Sequence, residues 1–230
     1  NMAVLSKIAI WCVLALMTSP LQGFASAPAD VQAVAEEGLA QFLANIVPQE
    51  LANMGLTSAA DIKAATLGEP YEQFTIYPDA LKNYTPDQSI SSLLTSTENW
   101  VYPVLVNGRA RTQMNVVKSE GQWVAGFFGG TLPARIHDGV SSMNATLGTD
   151  SGRGITSAGI EAAKLVRIPQ INADFLFVGA GDDEYLFPIS SDRALTQVVG
   201  GKVYSGLEII PLLNLEVDQA IRAWNKSQGE

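Results

Sequence analysis

The chain has 230 residues, 47% of them hydrophobic and 16% charged, enough for one core or for two small ones sharing an interface. Fourteen basic against 23 acidic side chains, with no run of basic residues, oppose binding to phosphate backbones or anionic membranes. The single cysteine, Cys12, and single histidine, His137, leave little for thiolate, disulfide or zinc chemistry.

Residues 1–29 have the pattern of a secretory signal peptide. Lys7 precedes the apolar run Ile8 to Met17, too short for the ~20 residues of a membrane span, and small residues follow. Cleavage after Ala25, Ala27 or Ala29 is expected, with Ala25 or Ala29 favoured because Pro28 makes a poor new terminus. The exported chain would then lack cysteine and carry 13 basic against 23 acidic groups, a net charge of −10. It is expected in the periplasm or outside the cell, without inserting in the membrane.

Asp30 to Ile46 reads as a helix, with Val31, Ala35, Leu39, Phe42 and Ile46 on one stripe, Asp30 as N-cap and Pro48 as stop. A short helix over Gln49 to Met54 should end at Gly55. Another over Ala59 to Ala65 has a cap at Thr57 or Ser58, where Ser58 and Asp61 form a capping-box pattern. These helices suit a cap over a sheet. Tyr71 to Tyr77 alternates as a strand, followed by helical turns at Asp79–Asn83 and Ser89–Leu94.

Trp100 to Phe128 is the strongest fold signal: three antiparallel strands with turns at Asn107-Gly108 and Ser119-Glu120-Gly121. A two-residue first turn pairs Val106 with Arg109, Leu105 with Ala110, Val104 with Arg111 and Val101 with Met114. A three-residue turn with a bulge would shift these pairs, and the sequence leaves both open. Pro103 suggests that the first strand is an edge at that point, or turns its bare side to water.

Gly129 to Gly154 holds six glycines and His137, and reads as a loop, with a possible domain division at 129–156. Ser157 to Val166 is expected to be a helix. Asp174 to Val178 and Tyr185 to Ile189 form a hairpin around GAGDDE, and Ser191 caps a helix to Val198. Val203-Tyr204 is a brief strand. A last helix capped by Ser205 and Glu208 runs to about Trp224, bent or broken before Pro211. The expected fold is one α+β domain over 30–230, with a mainly antiparallel sheet: the central meander, the C-terminal hairpin, and helices packed on them. Tyr71, Ile76, Asp79, Ala80 and Leu81 echo Tyr185, Ile189, Asp192, Ala194 and Leu195, which suggests two related halves.

His137 is the natural suspect for acid–base work. It lacks a G-x-S-x-G partner motif, and a loop histidine bonded to backbone or water is the simpler reading. Asp182-Asp183-Glu184 lacks the alternating oxygens of a Ca²⁺ loop and reads as a solvated turn. Neither phosphate-binding glycine motif occurs, so no cofactor or metal is expected.

The aromatics of the meander either pack beneath helices or line an apolar groove for a peptide. On the second reading the binding residues are Tyr102, Trp123 and Phe128, with Arg109 and Arg111 beside them, since aromatics and Arg are enriched at interface cores. The run YPVLVNGRARTQMNVVKSEGQWVAGFFGG is similar to hairpins in secreted bacterial α+β modules, among them peptidase propeptides. The tail PISSDRAL followed by EIIPLL resembles protein-import accessory proteins of cyanobacterial and plastid envelopes. Neither resemblance assigns a role to any residue. The expected function is a non-enzymatic binding or accessory protein of the cell envelope or extracellular space, recognising a protein or peptide. The alternatives are a secreted hydrolase using His137 or scattered carboxylates, and a structural envelope or import accessory component.

Overall fold

A computed structural model describes residues 26–149, 163–180, 183–191 and 195–228. The leader pattern falls almost wholly outside them. No described helix is long and apolar enough to cross a membrane.

The fold is α+β, with a mostly antiparallel sheet of nine strands. Five described helices pack on it: α1 (Ala29–Asn45), α2 (Ala59–Ala64), α3 (Pro78–Lys82), α4 (Leu132–Thr149) and α5 (Gly206–Gln228). The strands are β1 (Ala65–Leu67), β2 (Tyr71–Thr75), β3 (Thr95–Val106), β4 (Arg109–Ser119), β5 (Gln122–Phe128), β6 (Lys164–Ile168), β7 (Ala173–Ala180), β8 (Asp183–Ser191) and β9 (Tyr204–Ser205). Their order is β5-β4-β3-β2-β6-β7-β8-β9, with β1 pairing to β3. Two four-stranded meanders, β2 to β5 and β6 to β9, thus meet at β2–β6, the one parallel pair. The echo in the sequence does not follow this symmetry. Its matching residues begin on β2 and β8, the first and third strands of their meanders.

Both central hairpins have two-residue turns. Asn107 and Gly108 have φ of 53° and 73°, and Glu120 and Gly121 have 52° and 81°, the left-handed pair that such turns require. Val106 faces Arg109 and Leu105 faces Ala110, as read. A bulge at Arg111 then shifts the ladder, so Val104 faces Thr112, Tyr102 faces Met114 and Val101 faces Asn115. The expected Val104–Arg111 and Val101–Met114 pairs do not form. At Pro103 neither β1 nor β2 pairs with β3, in keeping with the local edge that its missing N–H suggests. Pro103 falls in the gap between the two pairings, where the ladders demand no N–H, and its carbonyl accepts from Gly68 N at 2.8 Å.

Alternation divides the core between two faces. On one, α1 lays Val31, Ala35 and Leu39 over Trp100, Tyr102, Val104, Met114, Val116 and Phe128. Beside it, α5 and α3 cover Ile76, Val166, Ile168, Phe175, Phe177 and Leu186. On the other, Ile136, Val140 and Met143 of α4 meet Val101, Leu165, Leu176, Val178 and Phe187.

Helix α4 corrects the reading of 129–149 as a loop. Gly129 and Gly130 turn the chain at φ of 132° and 97°. Gly139 faces the sheet, where a Cβ would meet the Phe187 ring at 3.4 Å, an ordinary contact. Two of the glycines thus serve a turn, and together they mask the Ile136–Val140–Met143 spacing. The expected helix over Ser157–Val166 is also corrected where it is described, because Lys164–Ile168 is a strand. Between β2 and β7, Leu165 and Val166 bury on opposite faces, and such a run shows no alternating pattern. No helix follows Ser191 among the described residues. Instead Glu216 of α5, 6% exposed, accepts from Thr196 N, Thr196 Oγ1 and Gln197 N at 2.6–2.9 Å.

Helix α5 runs unbroken through Pro211. The carbonyl that Pro211 cannot serve is that of Leu207, a residue on the solvent side and 60% exposed. The caps largely follow the sequence. Ser58 Oγ accepts from Asp61 N at 3.3 Å, while Asp61 reaches back to Thr57 N and Oγ1 at 2.7 Å. Ser205 N and Oγ donate to Glu208. For α1 the N-cap is Pro28, and Asp30 sits in the first turn.

Glu184 is not a solvated turn residue. From β8 it accepts Ser89 Oγ at 2.7 Å, and the main-chain N–H groups of Ile90 and Ser91, capping the 3₁₀ turn Ile90–Leu93. Burial raises its pKa, but the bonds from Ser89, Ser91 and Ile90 together prevail, and the net value is lowered. A lowered carboxyl stabilises the fold above its unfolded pKa of 4.5, and that contribution fades as pH falls through the folded value. In thermal melts, wild type should therefore exceed Glu184→Gln at pH 7, with the gap closing towards strongly acidic pH. A gap independent of pH would show that the carboxylate charge is not what holds the turn.

Candidate functional site

The five residues expected to bind do not converge on one surface. Tyr102 is fully buried, and Phe128, 6% exposed, lies with its ring 5.3 Å from that of Phe42 on α1. Burial, followed by the charges of Glu36 and Glu69, pushes the Tyr102 phenol up to about 12, and its hydroxyl is buried without a hydrogen-bond partner. Trp123 is half-buried at the rim of the same core, with Lys118 Nζ 5.6 Å from its ring and 2.7 Å from Glu98. Only Arg109 and Arg111 are exposed, on the strand that leaves the hairpin tip. The aromatic pattern of a buried sheet face and that of an interface look alike in sequence. Here α1 takes that face.

On the opposite face, the meander and α4 leave an apolar groove of about 330 Å³. Tyr71, with Gly68 and Glu69 from the β1–β2 connection, forms one wall. Pro103, Leu105 and Ala110 form the floor, and Ile136, His137 and Val140 of α4 form the second wall. Gly68 lies close to the floor, where a Cβ would come within 3.2–3.3 Å of the Leu105 side chain and press it aside by a few tenths of an ångström. Burial, and then Glu69, pushes the Tyr71 phenol up to about 12, so it stays protonated.

His137 stands at the groove rim on α4, 65% exposed. Its Nδ1 is 3.7 Å from Asp138 Oδ1, beyond hydrogen-bond reach, and Ser141 Oγ donates to the His137 carbonyl, not to the imidazole. Among the described residues, nucleophile, base and orienting acid are therefore not assembled around it. No group of three or more His, Cys, Asp or Glu side chains that could hold a metal occurs among the described residues.

Two larger concavities are less suited to a ligand. One, of about 540 Å³, is lined by Tyr84, Asp87, Ser89, Ser91, Glu184 and Ser205, and its central carboxylate is already engaged in capping. The other, of about 510 Å³, lies between Pro169 and the exposed Ile221 and Trp224 near the end of α5. The groove beside α4 joins an apolar lining from three elements to a few polar groups, as ligand sites commonly do. Sequence reasoning missed it because Leu105, Ala110, Ile136 and Val140 meet only through α4, which had been read as a loop.

No protein-family model, curated protein or solved structure matches the chain.

Proposed function

We propose that this chain is a non-enzymatic binding or accessory protein, exported to the cell envelope or the medium, which holds an apolar segment of a protein or peptide in the groove between the β3–β4 hairpin and α4. The observation that carries the reading is the groove itself: apolar walls from three elements, with Glu69, Tyr71 and His137 as its few polar groups. The second reading, a secreted hydrolase using His137 or scattered carboxylates, has less to build on, since among the described residues Asp138 lies 3.7 Å from His137 Nδ1 and Ser141 Oγ donates to the His137 carbonyl. Export rests on the leader pattern in the sequence. N-terminal sequencing of the native protein tests it, an intact Met2 terminus being the contrary result.

Leu105 is only partly buried and lines the groove, so Leu105→Glu should leave the fold intact while charging the site. Losing one apolar side-chain contact of about 2 kcal/mol weakens binding roughly thirty-fold. The measurement is capture of polypeptides from native envelope extract by immobilised wild type, Leu105→Glu and Arg111→Glu. Capture should fall steeply for Leu105→Glu and less for Arg111→Glu, which lies outside the groove lining. Equal capture by wild type and Leu105→Glu would rule the groove out as the site.

A further inference from the structure

Among the described residues the sheet ends at β5, whose outer side faces no other strand. The two-residue Glu120-Gly121 turn makes Ser119 and Gln122 a hydrogen-bonded pair. Alternation along the antiparallel ladder then fixes the rest. Val124 bonds back to Val117, while Trp123, opposite Lys118, and Ala125, opposite Val116, turn their N–H and C=O groups outward. Among the described residues, neither Trp123 nor Ala125 makes a main-chain bond outside the ladder.

Proteins usually blunt such an edge with charge, proline or irregularity. Gln122–Phe128 contains no charged residue and no proline. Its one such device is a bulge, where Gly126 and Phe127 stand opposite Asn115, and this ends the regular edge at Ala125. Val124 and Phe127 are left 39% and 57% exposed.

We propose that β5 pairs with β5 of a second copy of this chain, antiparallel about a two-fold axis at Val124, so that the sheet continues from one molecule into the next. The edge is self-complementary in that register. Trp123 of one copy and Ala125 of the other exchange both of their outward hydrogen bonds, and the axis repeats the exchange. The bulky indole stands opposite the small Ala125, and the two Val124 side chains meet on the face that α1 leaves open. A free peptide would find only four regular residues to pair with, too few to offset the entropy of ordering it. A second copy makes the same main-chain bonds with a strand its own sheet already orders, and so avoids that cost. The surface is distinct from the groove beside α4, and the proposal does not depend on that groove.

Sedimentation velocity over a wide range of protein concentration tests it. Wild type should form a concentration-dependent dimer that tightens with added salt, because screening relieves repulsion between two acidic chains. Val124→Lys sets two ammonium groups against each other across the axis and should be monomeric, with an unchanged circular dichroism spectrum. Ala125→Pro removes an outward N–H that β4 does not use, and should weaken the dimer. If that variant fails to fold, Val124→Lys decides. A wild type that stays monomeric throughout, or a Val124→Lys that remains dimeric, overturns the proposal.

Discussion

Phe175→Ala should cost about 4 kcal/mol of stability, the middle of the range for removing a buried ring from a core. For a chain of this length that is a fall of roughly 10 °C in Tm. Phe175 is fully buried at the centre of β7, between Val166 of β6 and Pro188 of β8. The core cluster it belongs to draws on β6, β8, β9, α3 and α5, so the cavity would open among several elements at once. Urea denaturation followed by far-UV circular dichroism measures the loss. A cost under about 1 kcal/mol would mean that the C-terminal meander and α5 are not packed around this ring.

Gly38→Val should cost nearly as much, by the opposite mechanism. A Cβ at Gly38 would lie 2.5 Å from that of Ala125 and 3.4 Å from Met114 Sδ, so the substitution pushes α1 away from β4 and β5. Overpacking of this kind costs about 3 kcal/mol at the upper end, whereas the change from Gly to Val inside a helix gains only a few tenths. Near-UV circular dichroism and dye binding should report exposure of Trp100 and Phe128, which α1 covers. The geometry also predicts a partial rescue. Ala125→Gly removes the opposing methyl, so the double variant should be more stable than the sum of the single losses allows. Strict additivity would place α1 somewhere other than over Ala125.

What the sequence shows depends on how local the cause is. Asn107-Gly108 and Glu120-Gly121 set their hairpins through backbone angles of two residues, and the Ser58–Asp61 and Ser205–Glu208 caps act over three. All were legible. Arg111 shifts the register by a bulge that no residue type announces. The strand β6 was misread because burial on both faces erases the alternation that marks a strand. Helix α4 is hidden in the sequence because Gly129, Gly130 and Gly139 read as loop, while the first two make the turn that precedes it. Glu184 and Glu216 reach partners 94 and 20 residues away, so their roles arise only once the fold has formed.

The candidate site follows the same logic. Tyr102, Trp123 and Phe128 announce a large apolar surface, and the sequence does not say whether a helix of the same chain covers it. Helix α1 does so, because Gly38 and the small Ala35 let it lie close to the sheet. The opposite face of the same strands keeps its groove because α4 crosses only part of it, which leaves Leu105 and Ala110 half-buried.

The groove is tested most directly by replacing Leu105 with a photoreactive phenylalanine and irradiating the protein in native envelope extract. Exposed Gln49 of the Pro48–Glu50 turn serves as the control position. The groove reading predicts a defined polypeptide adduct from position 105, absent from the control and suppressed by excess unlabelled wild type. Adducts that form equally at both positions, or none at all from position 105, would contradict it.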